Sequence, residues 1–287
     1  PPCYTALPIG GCAMFSVIQV SDSHVSPRIT RFNANWEAAV AAINRLSPDL
    51  VVHTGDVTLD GADWEEDCAF AARGLAAISA PVRVVPGNHD VGDGGSARQP
   101  ADGERVARFE RHFGPALWTE DRPGWRLLGL NSQAMGAGDG LDRAVEQTVA
   151  EALRSLGDRR LAVFLHKPAL IESLEEGDVG YWAVPSGARA PLAELFTNRG
   201  LRLVASGHLH VARLAAYGPA TLAWCPATGF LVGEKLLPDA KGGKRCLGLM
   251  RHIFRDDAVE TEVLPIPEAE EIVIDPFVDE IYPPDRG

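Results

Sequence analysis

Six short apolar runs punctuate the chain up to residue 205: 15–20 (FSVIQV), 49–53 (DLVVH), 82–85 (VRVV), 126–130 (RLLGL), 161–165 (LAVFL) and 201–205 (LRLVA). Each is nearly continuous in aliphatic or β-branched residues and is bounded by turn formers, which predicts a strand buried on both faces. Between them the spacing changes. Trp36, Val40, Ile43 and Leu46 recur at three- and four-residue steps and predict a helix over 34–46. Helix formers fill 62–78, Val145, Val149 and Leu153 mark 142–156, and 190–198 offers a shorter helix. Strands alternating with helices in this way predict a layered α/β domain. From about 219 the helical period fades, and pieces such as 221–224 (TLAW) and 246–250 (CLGLM) between Gly and Pro predict further strands closing a second sheet.

No linker divides the chain, so residues 14–263 are read as a single domain. Residues 1–13 lack a basic n-region and a proper apolar core, which makes a poor signal peptide. With Met14 opening the first strand run, the leader is expected to be upstream or non-native sequence. Residues 264–287 form a Pro-rich, acidic tail that is expected to lie over the surface, to meet a partner subunit in a homo-oligomer, or to be disordered.

Composition narrows the function. At 287 residues, 46% hydrophobic and 23% charged, the chain can bury a large core without staples. Its formal net charge of -12 lacks the basic footprint of a protein that grips a nucleic acid polymer. No apolar run reaches the ~18 residues of a membrane span. The five cysteines are scattered, odd in number and without a CxxC pair, which disfavours a disulfide framework and suits a reducing compartment, the cytoplasm.

The polar residues that follow the strands form an unusual set. Asp22-Ser23-His24 follows the first, Gly55-Asp56 the second, Gly87-Asn88-His89-Asp90 the third, His166 the fifth and Gly207-His208-Leu209-His210 the sixth. In open α/β sheets ligands sit beyond the carboxyl ends of the strands, so one location can gather all five pieces. His and Asp suit divalent Zn, Mn or Fe(II), and no cysteine takes part, which disfavours a structural thiolate site. Asp22-x-His24 and His208-x-His210 have period two, which on an extended segment points both side chains the same way. The preceding glycines permit close backbone approach. Taken singly each element has a bland reading: Gly-Asp is usually a turn, and a lone histidine is usually half-buried structure. Five of the eight histidines fall in this ordered set, while His53, His112 and His252 are read as structural.

The order Asp-x-His, Gly-Asp, Gly-Asn-His-Asp, His, Gly-His-x-His resembles the calcineurin-like metallophosphoesterases. The closest likeness is to the bacterial branch containing class III cyclic-nucleotide and glycerophosphodiester phosphodiesterases, from about Phe15 to His210. That resemblance implies a four-layer αββα sandwich, two packed mixed β-sheets flanked by helices. It implies two divalent metal ions (Mn, Fe, Zn or Co), one held by Asp22, His24, Asp56 and His210, the other by Asp56, Asn88, His166 and His208. Asp56 would bridge them. His89 would act on the substrate without binding metal, oriented by Asp90, and Asn88 would also face the substrate. The implied reaction is hydrolysis of a phosphate ester by a hydroxide shared between ions roughly 3.5–4 Å apart. The pair would leave a net positive charge of about one to attract phosphate into an acidic protein.

Departures bear on the substrate. A long glycine-rich loop follows Asp90, and His166 is followed by Lys167-Pro168 where relatives often carry two histidines. Tyr181 and Trp182 are candidates to line the pocket, against a plain reading as capping hydrophobic contacts. A small phosphodiester is the first expectation, a phosphomonoester the second, and a metal-binding scaffold without turnover the third.

Overall fold

The computed structural model describes residues 15–138 and 140–282. The leader, residues 1–13, and the last five residues of the tail lie outside the described residues. The first half of the chain runs β1 (Phe15–Val20), α1 (Asn33–Leu46), β2 (Leu50–His53), α2 (Glu65–Leu75), β3 (Val82–Val84), α3 (Asn88–Val91), α4 (Gly103–Phe113), β4 (Trp118–Arg122) and β5 (Trp125–Gly129). It continues with α5 (Leu141–Arg154), β6 (Arg160–Phe164), α6 (Ala190–Thr197), β7 (Leu201–Ser206), β8 (Val211–Tyr217) and β9 (Ala220–Trp224). The last elements are β10 (Lys244–Arg245), β11 (Gly248–Phe254), β12 (Val259–Pro265) and α7 (Val278–Ile281).

The strands make two mixed sheets. One has five strands in the order β12-β11-β1-β2-β3, the other seven in the order β10-β8-β9-β7-β6-β5-β4. β1, β2 and β3 run parallel, and so do β5, β6, β7 and β9. The antiparallel strands sit at the flanks.

Alternation along each central strand explains the layers. Phe15, Val17, Leu50 and Val52 point inward and meet Trp125, Leu127, Phe164, Leu203 and Phe254 between the sheets. Ile18, Val20 and Val51 point outward and pack under Trp36, Ala39 and Ile43 of α1 and Ala71 and Leu75 of α2. On the far side Leu161, Val163, Leu201 and Val204 pack under Val145 and Val149 of α5 and Leu192 and Leu195 of α6. Strands covered on both faces are apolar at most positions, and buried exceptions such as Gln19 and His53 are hydrogen-bonded, which is why the strands read as nearly continuous runs. The result is the four-layer αββα sandwich.

The late strands divide between the sheets: β8, β9 and β10 complete the seven-stranded sheet, and β11 and β12 return to the five-stranded one, with β11 beside β1. The glycine-rich loop after Asp90 runs to Asp102, whose side chain caps α4 by accepting from Arg105 N at 2.9 Å. The helix expected over 62–78 is confined to α2, with Trp64 in an extended conformation at its N-cap. Among the described residues no helix is long and apolar enough to cross a membrane.

Candidate metal centre

The strands end in one place. The Asp22–His24 loop hydrogen-bonds along the loop after β2, with Asp22 N donating to Gly55 O and His24 N to Asp56 O, both at 3.0 Å. The buried Gln19 amide crosses between the sheets to Ser206 O at 3.1 Å, and Gly207 N donates to His166 O at 2.9 Å. Loops from both sheets are thereby tied into one rim.

Their backbones carry an unusual conformation. Asp22, His24, Asp56, His208 and His210 all have positive φ, at 53°, 46°, 52°, 71° and 54°. For a residue with a Cβ this costs roughly 1–2 kcal/mol, so the surrounding structure has to impose it. It also corrects the reading of the period-two pairs. Their side chains converge through left-handed residues, not through an extended segment. Close approach accounts for the glycines: a Cβ on Gly87 would fall 2.1 Å from Asp56 Oδ1, and one on Gly207 would fall 1.9 Å from Ser21 Oγ.

The side chains meet as two overlapping groups. His210 Nε2 lies 3.3 Å from Asp22 Oδ1 and 3.2 Å from His24 Nε2. His166 Nε2 lies 3.2 Å from Asp56 Oδ2, 3.1 Å from His208 Nδ1 and 3.3 Å from Asn88 Oδ1. Asp56 Oδ2 is also 3.7 Å from His24 Nε2, so one carboxylate oxygen faces both groups. Within each of three sets, Asp22 with His24 and His210, Asp56 with His166 and His208, and His24 with Asp56 and His89, the ligand atoms lie within 4.8 Å of one another. The structure therefore brings together all seven residues expected to hold metal.

The donors fit divalent cations. His210 Nδ1 donates to Phe230 O at 2.8 Å, and His208 Nε2 donates to Tyr181 O at 2.9 Å. A carbonyl only accepts, so in the neutral form of each ring the other nitrogen turns a lone pair toward the cluster. His166 Nδ1 is held by Thr54 O at 2.7 Å. Ligand atoms about 2.0–2.1 Å from a tetrahedral ion sit roughly 3.3 Å apart, which matches these spacings.

Charge follows burial. His24 and His208 are desolvated and held well below the usual histidine range. Burial also disfavours the charged ring of His166, but Asp56 outweighs it and pushes the ring up to about 9. A cation binding there must first displace that proton. Burial by itself would raise the carboxyls of Asp22 and Asp56. Their histidine neighbours, His210 foremost for Asp22 and His166 for Asp56, reverse this and hold both below the usual carboxylate range.

His89 stands beside the cluster, its ring 4.9 Å from that of His24, and its backbone N donates to Asp56 Oδ1 at 2.8 Å. The expectation that Asp90 orients His89 is corrected. The Asp90 carboxylate accepts from Gly87 N (2.9 Å), Val57 N (3.2 Å), Thr58 N (2.9 Å) and Thr58 Oγ1 (2.7 Å). It locks the loops that carry Asp56 and Asn88 and acts on His89 only through the backbone. Burial and the nearby Asp56 charge push it up to about 6.

Tyr181 reaches the cluster, its hydroxyl accepting from Asn88 Nδ2 at 3.0 Å and its ring 4.5 Å from His208. Trp182 is farther, 6.4 Å from His208, and packs with an apolar cluster containing Leu209 and Val211. Beside Asn88 and Tyr181 opens a cavity of about 490 Å³, also lined by Asp93, Arg98, Lys167 and Asp178. Of the three histidines read as structural, His53 bonds Ser23 Oγ at 3.0 Å, His112 pairs with Glu65 at 3.0 Å and His252 bonds Gln19 at 3.0 Å.

Two residues escaped the sequence reading. Phe230 packs on His24 and His210 at 4.6 and 4.5 Å, and Tyr282 places its hydroxyl 2.9 Å from His24 Nδ1 and its ring 4.5 Å from His89. The available signal was the apolar spacing of Ile272, Ile274, Phe277 and Ile281 within an otherwise acidic tail.

The sequence pattern of the calcineurin-like phosphoesterase family matches residues 15–212. The chain belongs to that family. It is 33% identical over 187 residues to the human serine/threonine-protein phosphatase CPPED1, covering 61% of this chain and 58% of that protein. The chain thus spans under three fifths of that relative's length. It is 26% identical over 236 residues to the probable glycerophosphodiester phosphodiesterase GpdQ of Arcobacter nitrofigilis, covering 78% of this chain and 82% of that one. The fold is shared with a dimetal phosphatase from Danio rerio at a TM-score of 0.58 and 13% identity, covering 91% of this chain and 99% of that structure.

Proposed function

We propose that the chain hydrolyses a small phosphodiester at a pair of divalent ions. Asp22, His24, Asp56 and His210 hold one; Asp56, Asn88, His166 and His208 hold the other. The observation that carries this reading is Asp56 Oδ2, placed 3.7 Å from His24 Nε2 and 3.2 Å from His166 Nε2. When bound, such a pair supplies Lewis acidity toward the phosphoryl oxygens and an acidified water for in-line attack. Mn, Fe, Zn and Co all suit this donor set.

The protein's own contribution is position and charge. The anchored rings keep four imidazoles aimed inward. Asn88 adds a neutral donor that leaves the Lewis acidity of its ion unquenched. His89, partly exposed beside the shared carboxylate, is placed to stabilise charge on the phosphoryl group or to give a proton to the leaving alkoxide. The free thiols of Cys68, Cys225 and Cys246 suit a reducing, cytoplasmic setting.

Two observations favour a diester. The match to the diesterase relative is longer than that to the phosphatase relative, 78% against 61% of this chain. The cavity beside Asn88 is lined by Lys167 and Arg98 but equally by Asp93 and Asp178, with Lys167 Nζ 2.5 Å from Asp93 Oδ2. That balance suits a monoanionic diester better than a dianionic monoester. The human relative's name supports a monoesterase as the second reading. Hydrolysis of bis-p-nitrophenyl phosphate against p-nitrophenyl phosphate, with Mn²⁺ and after chelation, tests the choice. A higher kcat/KM for the diester is expected; preference for the monoester favours the second reading, and metal binding without turnover of a wider ester panel favours a scaffold.

A further inference from the structure

We infer that Tyr282 is a positioning residue of the metal centre: its hydroxyl fixes His24 toward the first ion and its ring holds His89 over the shared carboxylate. The inference rests on the two-ion reading above. Its starting point is a contrast among the four candidate ligand histidines. His166, His208 and His210 are each anchored through the nitrogen facing away from the cluster by a backbone carbonyl, of Thr54, Tyr181 and Phe230 respectively. His24 is anchored by a side chain, the Tyr282 hydroxyl at 2.9 Å from Nδ1. Without an anchor on that nitrogen, His24 keeps neither a fixed tautomer nor a fixed ring direction.

The tail that delivers Tyr282 is fastened at several points. Ile274 N donates to Leu231 O and Leu231 N to Ile272 O, at 2.9 and 2.8 Å. Asp275 accepts from Gly233 N at 2.7 Å and Lys235 N at 3.0 Å. Ile274 and Ile281 are buried with Phe32, Leu59 and Phe230. Arg31 lies over the Phe277 ring at 4.2 Å. The segment expected to lie over the surface is therefore a wall of the first half-site. The tyrosine ring stands 4.5 Å from the His89 ring, inclined at 36°.

The arrangement is two-sided. Tyr282 meets a ligand of the first ion, while Tyr181 meets Asn88, a ligand of the second. This makes the test a comparison of two conservative variants on the full chain. Mn²⁺ binding would be followed by isothermal titration calorimetry, and Co²⁺ substitution by visible absorption. Tyr282→Phe is expected to weaken one ion by about 10–100-fold and to alter its Co²⁺ spectrum, leaving the other ion in place. Tyr181→Phe is expected to weaken the other ion. Tyr282→Leu should in addition lower kcat below that of Tyr282→Phe, because His89 loses its contact. Circular dichroism and Tm accompany each variant. Wild-type affinities and spectrum in Tyr282→Phe would overturn the inference, as would equal loss of both ions or weakening of the same ion by both tyrosine variants. A wild-type chain that binds no pair of ions would remove the two-ion reading itself, and the inference with it.

Discussion

Asp56 Oδ2 and His166 Nε2 stand 3.2 Å apart, joining the carboxyl end of a strand in one sheet to that of a strand in the other. The same oxygen faces His24 Nε2 at 3.7 Å. Asp56→Asn keeps the shape and removes the charge shared by both groups. The expected outcome is loss of both ions by elemental analysis and a fall in kcat/KM of roughly 10²–10³-fold or more. Retention of both ions in this variant would show that the carboxylate is not shared.

His89 offers the complementary case. Its ring is not needed to complete either ligand set, and its backbone N keeps Asp56 Oδ1 in place at 2.8 Å whatever the side chain. His89→Ala should therefore retain both ions while kcat falls by about 10²–10⁴-fold, the range for a lost proton donor. Steady-state kinetics at saturating metal, paired with metal content, reads both parts. Undiminished kcat would remove His89 from the chemistry.

Asp90 separates structure from chemistry. Its carboxylate accepts from three backbone N–H groups and the Thr58 hydroxyl in a fully buried position. Asp90→Ala strands those donors, so unfolding free energy in urea should drop by about 3 kcal/mol or more. An acid that served only to orient the His89 ring would instead leave stability intact and lower kcat alone.

Much of this site was legible because strand burial and ligand placement share one cause. Runs such as FSVIQV and LAVFL are apolar at most positions because both faces are covered, so the polar residues that follow them mark the rim where ligands gather. Asp22, His24, Asp56, Asn88, His166, His208 and His210 were found that way. Their backbone geometry was not, because nothing in an Asp or His side chain announces a left-handed residue that the neighbouring loop imposes. α4 was obscured by its charge, since Val106, Phe109 and Phe113 are its main apolar anchors. β4 lies at the edge of its sheet, where the polar residues of WTEDR dilute the signal. Tyr282 was missed because composition averages over the tail, whereas the contact depends on two isoleucines finding Phe32 and Phe230.

Acid sensitivity should include a part carried by a residue outside the ligand set. His252 is fully buried between Gln19 and Thr261, and burial pulls its ring down to about 3 from the ordinary 6.5. The folded chain holds it neutral, while the unfolded chain protonates it below about 6.5. Its contribution to stability is thus complete above pH 6.5. It is lost as pH falls toward 3, at up to about 1.4 kcal/mol per pH unit. Across that window His252→Gln should show a shallower decline of unfolding free energy than the wild type. Parallel slopes would contradict a neutral, buried His252.

Counting the ions bound per chain decides whether two of them share Asp56. The full chain would be stripped with a chelator, reconstituted with Mn²⁺, dialysed, and assayed in parallel for metal content and hydrolysis of bis-p-nitrophenyl phosphate. About two ions per chain are expected, with no hydrolysis after stripping and activity that returns as the ions do. Hydrolysis that survives stripping, or saturation at a single ion with full activity, would contradict a pair of ions sharing Asp56.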